Sequence, residues 1–477
     1  MNSSKQQGRM FSGSPLLHSD VYPIIFTMRV NSLYFSVILA ISLTACGGSH
    51  DAAAPLAGNG TPAPVIVAPV RLSLAAQLGQ KMFSDQSLSG SGKMSCATCH
   101  DPAFAYGPPN KLAVQLGGPK LDQMGNRAVP SLRYKDITPA YADLLDNPDG
   151  FSAPGPGGGF TADGRVDTLA EQARIPLLDP VEMANASGTE VVKKIQASAY
   201  ADLFRQAYGQ DAFADSGAAF DNAAKALQAF QMEDTSFHPY SSKFDLYAAN
   251  KIGGSLTAAE MRGLKIFSDP KIGNCSSCHY QGAGLNGSSA LFTDFSYEAI
   301  GVPRNAGIPL NQDAAHFDLG ICGPLRSDHK PKSATDANSF CGMFKTPTLR
   351  NVATRNVFFH NGVVTSLEQA IRFYNTRDTM PELWYPNVGG TALKANDAGF
   401  PVYGLIKTQY KGGTVQKYDD LPALYQGNID AQMPLDGRAA GTKPPMTEQN
   451  IADLICFLGT LTDGYQPGQA ASGKCTD

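Results

Sequence analysis

A chain of 477 residues with 43% hydrophobic composition is long enough to bury two or three ordinary cores. Its 38 basic residues against 42 acidic ones leave a net charge of −4, which excludes the electrostatic footprint of a nucleic-acid or other polyanion binder. The 48 glycines and 32 prolines, with only 17% charged residues, predict short helices joined by long ordered loops.

Taken in chain order, the amino terminus reads as an address. From Met28, the positive Arg29 precedes an apolar run, Leu33 to Leu43, too short to span a bilayer and suited to the core of an export signal. Leu43-Thr44-Ala45-Cys46 follows and resembles the lipobox of bacterial lipoproteins, whose Cys is diacylated. Residues 1–46 are therefore expected to be a signal region, and the mature chain to be lipid-anchored to a bacterial membrane on the periplasmic side. The Ala/Pro/Gly-rich residues 47–70 read as a flexible tether. Export also places the remaining thiols in an oxidising compartment.

Nine cysteines sort into an anchor, two motif pairs and four others. Cys96-Ala97-Thr98-Cys99-His100 and Cys275-Ser276-Ser277-Cys278-His279 are both CxxCH, the attachment signature of c-type haem. Two thiols add to the vinyl groups of one porphyrin, and the adjoining imidazole reaches its iron, so His100 and His279 are the expected proximal ligands. Two such motifs, each with its own His, predict two covalently bound haems rather than a zinc site or a redox dithiol. Cys322, Cys341, Cys456 and Cys475 admit three pairings; proximity favours Cys322 with Cys341 and Cys456 with Cys475, each worth roughly 3 kcal/mol in chain entropy.

The segment before each motif recurs. Ala75-Ala76-Gln77-Leu78 and Lys81-Met82-Phe83-Ser84-Asp85 precede the first, and Ala258-Ala259-Glu260-Met261 and Lys265-Ile266-Phe267-Ser268-Asp269 precede the second. Thr257 with Glu260 forms a capping box, and Met261, Leu264 and Phe267 fall near one helical face. Near the carboxyl end, Ile451, Leu454, Ile455 and Leu458 follow Thr447 as a packing helix. Strand-like alternation is scarce. The expected fold is mostly α: two cytochrome c-like haem domains with long ordered loops, the first over 71–250 and the second over 251–477.

A further layer of motifs carries a family resemblance. Asp163-Gly164-Arg165, Leu169-Ala170-Glu171-Gln172-Ala173 and Pro180-Val181-Glu182-Met183 lie between the haem motifs. Phe344-Lys345-Thr346-Pro347-Thr348-Leu349-Arg350-Asn351-Val352, Phe359-His360-Asn361-Gly362 and Leu367-Glu368-Gln369-Ala370 follow the second. In this order, over Leu72 to Asp463, they resemble the bacterial di-haem cytochrome c peroxidase and MauG family. The resemblance implies that Gln172, Pro176 and Glu182 are the distal-pocket residues of the first haem. Splitting peroxide needs a group that takes a proton from one oxygen and returns it to the other, which Glu182 can do and the amide of Gln172 cannot.

Between His100 and His238 there is no histidine, so the first haem lacks the distal His that many family members carry, and an open or water-bound iron is expected, with Met124 as the rival ligand. At the second haem the resemblance places Tyr374 in the distal position, where peroxidases use Met and MauG uses Tyr. A phenolate favours high oxidation states and a thioether favours ferrous iron; Met380 or Met343 is the alternative. Ala162 stands where the family has an inter-haem Trp, so either another aromatic such as Phe160 or Tyr106 fills the gap or the haems communicate more weakly. Ala128 stands where the family's calcium site has Asn, so calcium is expected only if backbone carbonyls of Arg355-Asn356-Val357 bind it with help from Asn126. The resulting expectation is an oxidoreductase that reduces hydrogen peroxide at the first haem and uses the second to store or relay oxidising equivalents. Its partner is a small redox protein or, as for MauG, a protein substrate. The competing expectation is a non-enzymatic di-haem electron-transfer cytochrome.

Overall fold

A computed structural model describes residues 71–284, 287–392, 404–406, 410–469 and 475–476. The expected signal region, Cys46 and the tether lie outside them. Among the described residues no helix is long and apolar enough to cross a membrane.

Among the described residues ten α-helices carry the fold: α1 (Leu74–Phe83), α2 (Cys96–Cys99), α3 (Leu169–Leu178), α4 (Gly188–Ala197), α5 (Ala201–Tyr208), α6 (Ser216–Glu233), α7 (Lys243–Ala248), α8 (Ala258–Ser268), α9 (Leu367–Thr376) and α10 (Glu448–Gly459). Side-chain caps start most of them, including Ser73, Thr168, Thr257, Ser366 and Thr447. Strands are two to four residues long and pair as separate antiparallel ribbons. Those that matter here are β1 (Leu116–Gly117) with β2 (Gln123–Met124), β3 (Ala142–Leu145) with β4 (Gly155–Gly157), and β5 (Tyr297–Glu298) with β6 (Phe344–Lys345). Such short ribbons follow from the composition, because glycine and proline interrupt pairing as often as they interrupt helices.

Apolar residues gather in two main cores. The first joins Leu78, Met82 and Phe83 of α1 to Leu177, Val191, Ile195, Phe204 and Phe230. The second joins Ile266 and Phe267 of α8 to Phe292, Ile371, Ile451, Leu454 and Phe457. Helix α7 lies before residue 250 yet packs into the second core through Phe244, and Lys243 meets Glu260 at 2.6 Å. On α8 the buried face is Ala259, Gly263, Ile266 and Phe267, with Met261 and Leu264 at its margin.

The recurrence in sequence has a packing counterpart. Helix α1 crosses α6 and α8 crosses α10, and at each crossing a glycine sits two residues before the shared lysine. A Cβ on Gly79 would lie 2.0 Å from the carbonyl oxygen of Ala226, and one on Gly263 would lie 2.0 Å from that of Asp453. Backbone cannot yield as a flexible side chain can. Gly79→Ala and Gly263→Ala are each expected to cost about 3 kcal/mol, the upper end for overpacking, read as a lower denaturation midpoint in urea; unchanged midpoints would mean that the crossings can open at no cost.

Both favoured disulfides form, Cys322–Cys341 and Cys456–Cys475. Arg133 and Tyr134 of the first half reach Asp463 at 3.0 and 2.7 Å, and Arg127 bridges Asp163 and Asp318 at 2.8 and 2.7 Å. These buried, shared acids tie the loops of the two halves together.

Candidate metal centres

Each CxxCH motif is wound into one tight turn. Ser95 and Thr98 form a capping box at the start of α2, and the N–H of His100 closes the turn on the carbonyl of Cys96 at 2.8 Å. In the second copy Cys275–Ser277 form a 3-10 turn entered through Asn274 at φ 48°, and the N–H of His279 meets the carbonyl of Cys275, again at 2.8 Å. None of these four cysteines is in a disulfide. Burial raises Cys96 and Cys275 to about 12 and Cys99 to about 11, so the groups are neutral thiols. Among the described residues no three His, Cys, Asp or Glu side chains gather as a group that could hold a metal ion.

The imidazoles are set alike. His100 places Nδ1 3.0 Å from the carbonyl oxygen of Tyr106, and His279 places Nδ1 3.0 Å from that of Phe292. Burial lowers both rings to about 4, so each is neutral, donates from Nδ1 and leaves Nε2 as the lone-pair nitrogen. A backbone carbonyl that accepts from Nδ1 in this way fixes the tautomer and the ring orientation of an iron-binding imidazole.

A cavity of about 330 Å³ opens beside the second motif. Cys275, Cys278 and His279 lie on its wall with apolar Phe267, Ile371, Leu454 and Leu458, and Tyr374 of α9 borders the same space. Two thiols, a neutral imidazole and an apolar enclosure fit a covalently attached porphyrin. Burial holds the Tyr374 phenol above the usual tyrosine range. Neither Met343 nor Met380 borders this cavity, but Met433 and Met446 do, the sulfur of Met433 3.6 Å from a guanidinium nitrogen of Arg438 and Met446 packed in the second core. Met433 and Met446 are sulfurs that sequence reasoning missed, and Met433 is the one outside the core. It comes from a loop 59 positions beyond Tyr374, where no motif marks it.

Beside the first motif, Gln172 and Pro176 stand four residues apart on α3 and so share a face. Beyond the helix the chain doubles back: the N–H of Glu182 bonds Asp179 at 3.0 Å, and that of Met183 bonds the carbonyl of Pro176 at 3.0 Å. The turn bearing Glu182 is thereby fastened to the helix bearing the other two. Strand β1 presses on it from behind. Gly118 donates to the Glu182 carbonyl at 2.8 Å, and a Cβ on Gly117 would lie 2.3 Å from the carbonyl oxygen of Val181. The Glu182 side chain keeps accessible surface, yet protein crowds its carboxyl. This burial, with the charge of Asp179, raises it to about 7, while Arg165 pulls the other way. Its charge acts on both Cys96 and Cys99, which places it at the first motif. Met124 pairs with Leu116 in the β1–β2 ribbon.

The region between the motifs departs from expectation. Ala162 borders the cavity, but Phe160 and Tyr106 do not. Tyr106 belongs to the first core, stacked on Phe237 at 3.9 Å. Among the aromatics on the cavity wall, Phe344 stands next to Lys345, whose N–H donates to the Ala162 carbonyl at 2.9 Å; its ring stacks on His360 at 3.7 Å, and the Arg127 guanidinium lies over it at 5.4 Å. Arg355 donates to the carbonyls of Val129 and Val357 at 3.0 and 3.3 Å, so the latter carbonyl faces a guanidinium.

A family pattern described as di-haem cytochrome c peroxidase matches residues 73–252. The methylamine utilization protein MauG of Paracoccus denitrificans is 36% identical over 307 residues, 63% of this chain and 74% of that protein. The crystal structure of the diheme peroxidase BthA from Burkholderia thailandensis superposes with a TM-score of 0.68 at 36% identity, covering 83% of this chain and 87% of that one. The chain belongs to the di-haem cytochrome c peroxidase and MauG family. The cytochrome c551 peroxidase of Pseudomonas aeruginosa, 30% identical over 62% of this chain and 70% of its own length, adds a peroxidase by name. This di-haem peroxidase is therefore an oxidoreductase, and its family implies two c-type haems, which the paired motifs are built to accept.

Proposed function

We propose that this di-haem peroxidase reduces hydrogen peroxide at a haem held by Cys96, Cys99 and His100, while a haem held by Cys275, Cys278, His279 and Tyr374 stores or relays the oxidising equivalents. The observation that carries the reading is Glu182, on the turn fastened to α3 beside the first motif, whose carboxyl, crowded by protein although the side chain keeps accessible surface, is raised to about 7. When bound, haem iron supplies the redox chemistry by which peroxide and two electrons, with two protons, become two waters.

The chain's own part is positional and protonic. As a carboxylate, Glu182 takes the proton from one peroxide oxygen and returns it to the other as that oxygen leaves. The Gln172 amide does not titrate and so orients peroxide or water by hydrogen bonds, and Pro176 shapes the wall beside it. His100 stays neutral as a ligand because its Nδ1–H is committed to Tyr106. At the second site a phenolate from Tyr374 stabilises higher oxidation states, which suits equivalents held for a partner. Tyr374 in the position where the family resemblance gives MauG a Tyr, and the absence of a histidine between His100 and His238, favour MauG-like oxidation of a partner protein's side chains as a second reading beside electron uptake from a small redox protein. The lipobox at Cys46 supports a lipid-anchored, periplasmic enzyme whose two cytochrome c-like domains stand off the membrane.

Peroxide titration of the fully ferric protein tests the reading. Rapid spectral change and turnover with an added reductant are expected; an inert spectrum would leave an electron-transfer cytochrome. Gly117→Ala is expected to slow the same reaction by about tenfold or more without altering haem content, because its methyl displaces the backbone under Glu182.

A further inference from the structure

Three cations border the second-motif cavity with no acid to answer them. Lys135 comes from a loop of the first half, Lys345 from β6 and Arg355 from the loop before His360, and all three share the wall with Cys275, Cys278 and His279. Buried cations elsewhere are paired: Arg350 with Asp245 at 2.7 Å, Arg377 with Asp378 at 2.7 Å, Lys243 with Glu260 at 2.6 Å. Among the described residues, no carboxylate lies within ion-pair distance of Lys135, Lys345 or Arg355. Lys345 donates to the carbonyl of Gly159, and Arg355 to those of Val129 and Val357. Carbonyls satisfy N–H groups but leave the charge uncompensated.

The acids on the same wall are otherwise engaged. Asp318 holds Arg127, and Asp420 holds Arg304 at 3.2 Å. Burial and the neighbouring charges of Asp430 and Asp294 raise Glu298 to about 8, and burial raises Asp430, so burial works against the charge of both. Asp163, which acts on Lys345 from a distance, is already held by Arg127 and Arg165. Burial lowers Lys135 to about 8 and Arg355 to about 10, and holds Lys345 far below the usual lysine range. Arg355 further depresses Lys135, and Lys135 depresses Lys345, so the three repel one another. Like charges gathered on a mostly apolar wall call for an anion among them.

We propose that Lys135, Lys345 and Arg355 form the carboxylate-binding edge of this cavity and ion-pair with the two propionates of the porphyrin attached at Cys275 and Cys278. The inference rests on that attachment. A guanidinium offers paired N–H groups to one carboxylate, and the two ammonium groups act as point charges on either. Lys135 belongs to the first half, so the cofactor of the second motif is clasped by both.

The test uses the holoprotein and its Lys135→Met, Lys345→Met and Arg355→Met variants, with Lys345→Arg as the conservative control. Resonance Raman reads the propionate bending bands, and spectroelectrochemistry reads the midpoint potential of the second haem. Shifted bands and a lowered potential are expected in at least two of the Met variants, because removing a cation favours the ferric state, with recovery in Lys345→Arg. Bands and potentials like the wild type in all three would overturn the proposal. A holoprotein structure decides the matter without substitution, by whether the Nζ atoms lie within ion-pair distance of propionate oxygens. The mass of the peptide carrying Cys275 and Cys278 separates the two layers: absence of haem there refutes the attachment, whereas attached haem with unmoved bands refutes only the clasp.

Discussion

Glu182→Gln is expected to slow the reaction of the ferric protein with hydrogen peroxide by about 10²–10⁴-fold, the range that a positioned acid–base group contributes. The substitution keeps size and hydrogen-bonding capacity but removes the only property that Gln172 cannot supply, a proton that comes and goes. The sign of the pH dependence follows from the cause of the shift. Burial and Asp179 raise the carboxyl to about 7, so below that pH it is protonated and cannot begin the reaction as a base. The peroxide rate of the wild type should climb as pH rises through about 7 and level off above it, and the Gln variant should lose this step. Stopped-flow rates across that range decide the point. A variant with the rate and profile of the wild type would remove Glu182 from the chemistry.

The second large effect concerns the occupied end of the molecule. Tyr374→Phe keeps the ring and deletes the oxygen, so a low-spin, six-coordinate second haem should become high-spin and able to bind added small ligands. Loss of a hard anionic donor should also raise its potential, on the order of 100 mV within the ~0.8 V that axial ligands span. Met433→Leu is the matched comparison, because Met433 borders the same cavity. If Met433→Leu changes the spin state and Tyr374→Phe does not, the ligand is the thioether, and a relay of single electrons becomes the better description of that haem. Electron paramagnetic resonance of both variants distinguishes these outcomes.

What could be read from the residues alone was whatever is written locally. The CxxCH pairs, the cap at Thr257 and the run Ile451 to Leu458 announce themselves within a few positions, and the structure places each in the expected kind of element, with Ile455 at the core margin. Disulfide pairing was legible because the shortest loops were also the right ones. Tertiary neighbours were not. Met433 reaches the cavity from a loop without periodicity, Phe344 rather than Phe160 or Tyr106 lines the wall with Ala162, and Gly79 and Gly263 matter through what lies across from them. The clustering of Lys135, Lys345 and Arg355 was equally hidden, since 210 and 220 positions separate the first from the other two. Glu182 lay between the cases. Its position came from a family resemblance, whereas its raised pKa depends on the protein that crowds the carboxyl and on Asp179, against the pull of Arg165.

The wall of the second cavity draws on Phe104, Ala105, Pro130 and Lys135 from ahead of residue 250 as well as on the residues that follow the second motif. A shared partition of this kind makes the two centres thermodynamically accountable to each other. Whatever free energy a bound molecule or an added electron at one imposes on its neighbour, the neighbour imposes on it in equal measure. Midpoint potentials assigned to either iron in isolation would then describe half of a linked pair, and titrating one while the other is held oxidised or reduced should give two different curves separated by one common interval.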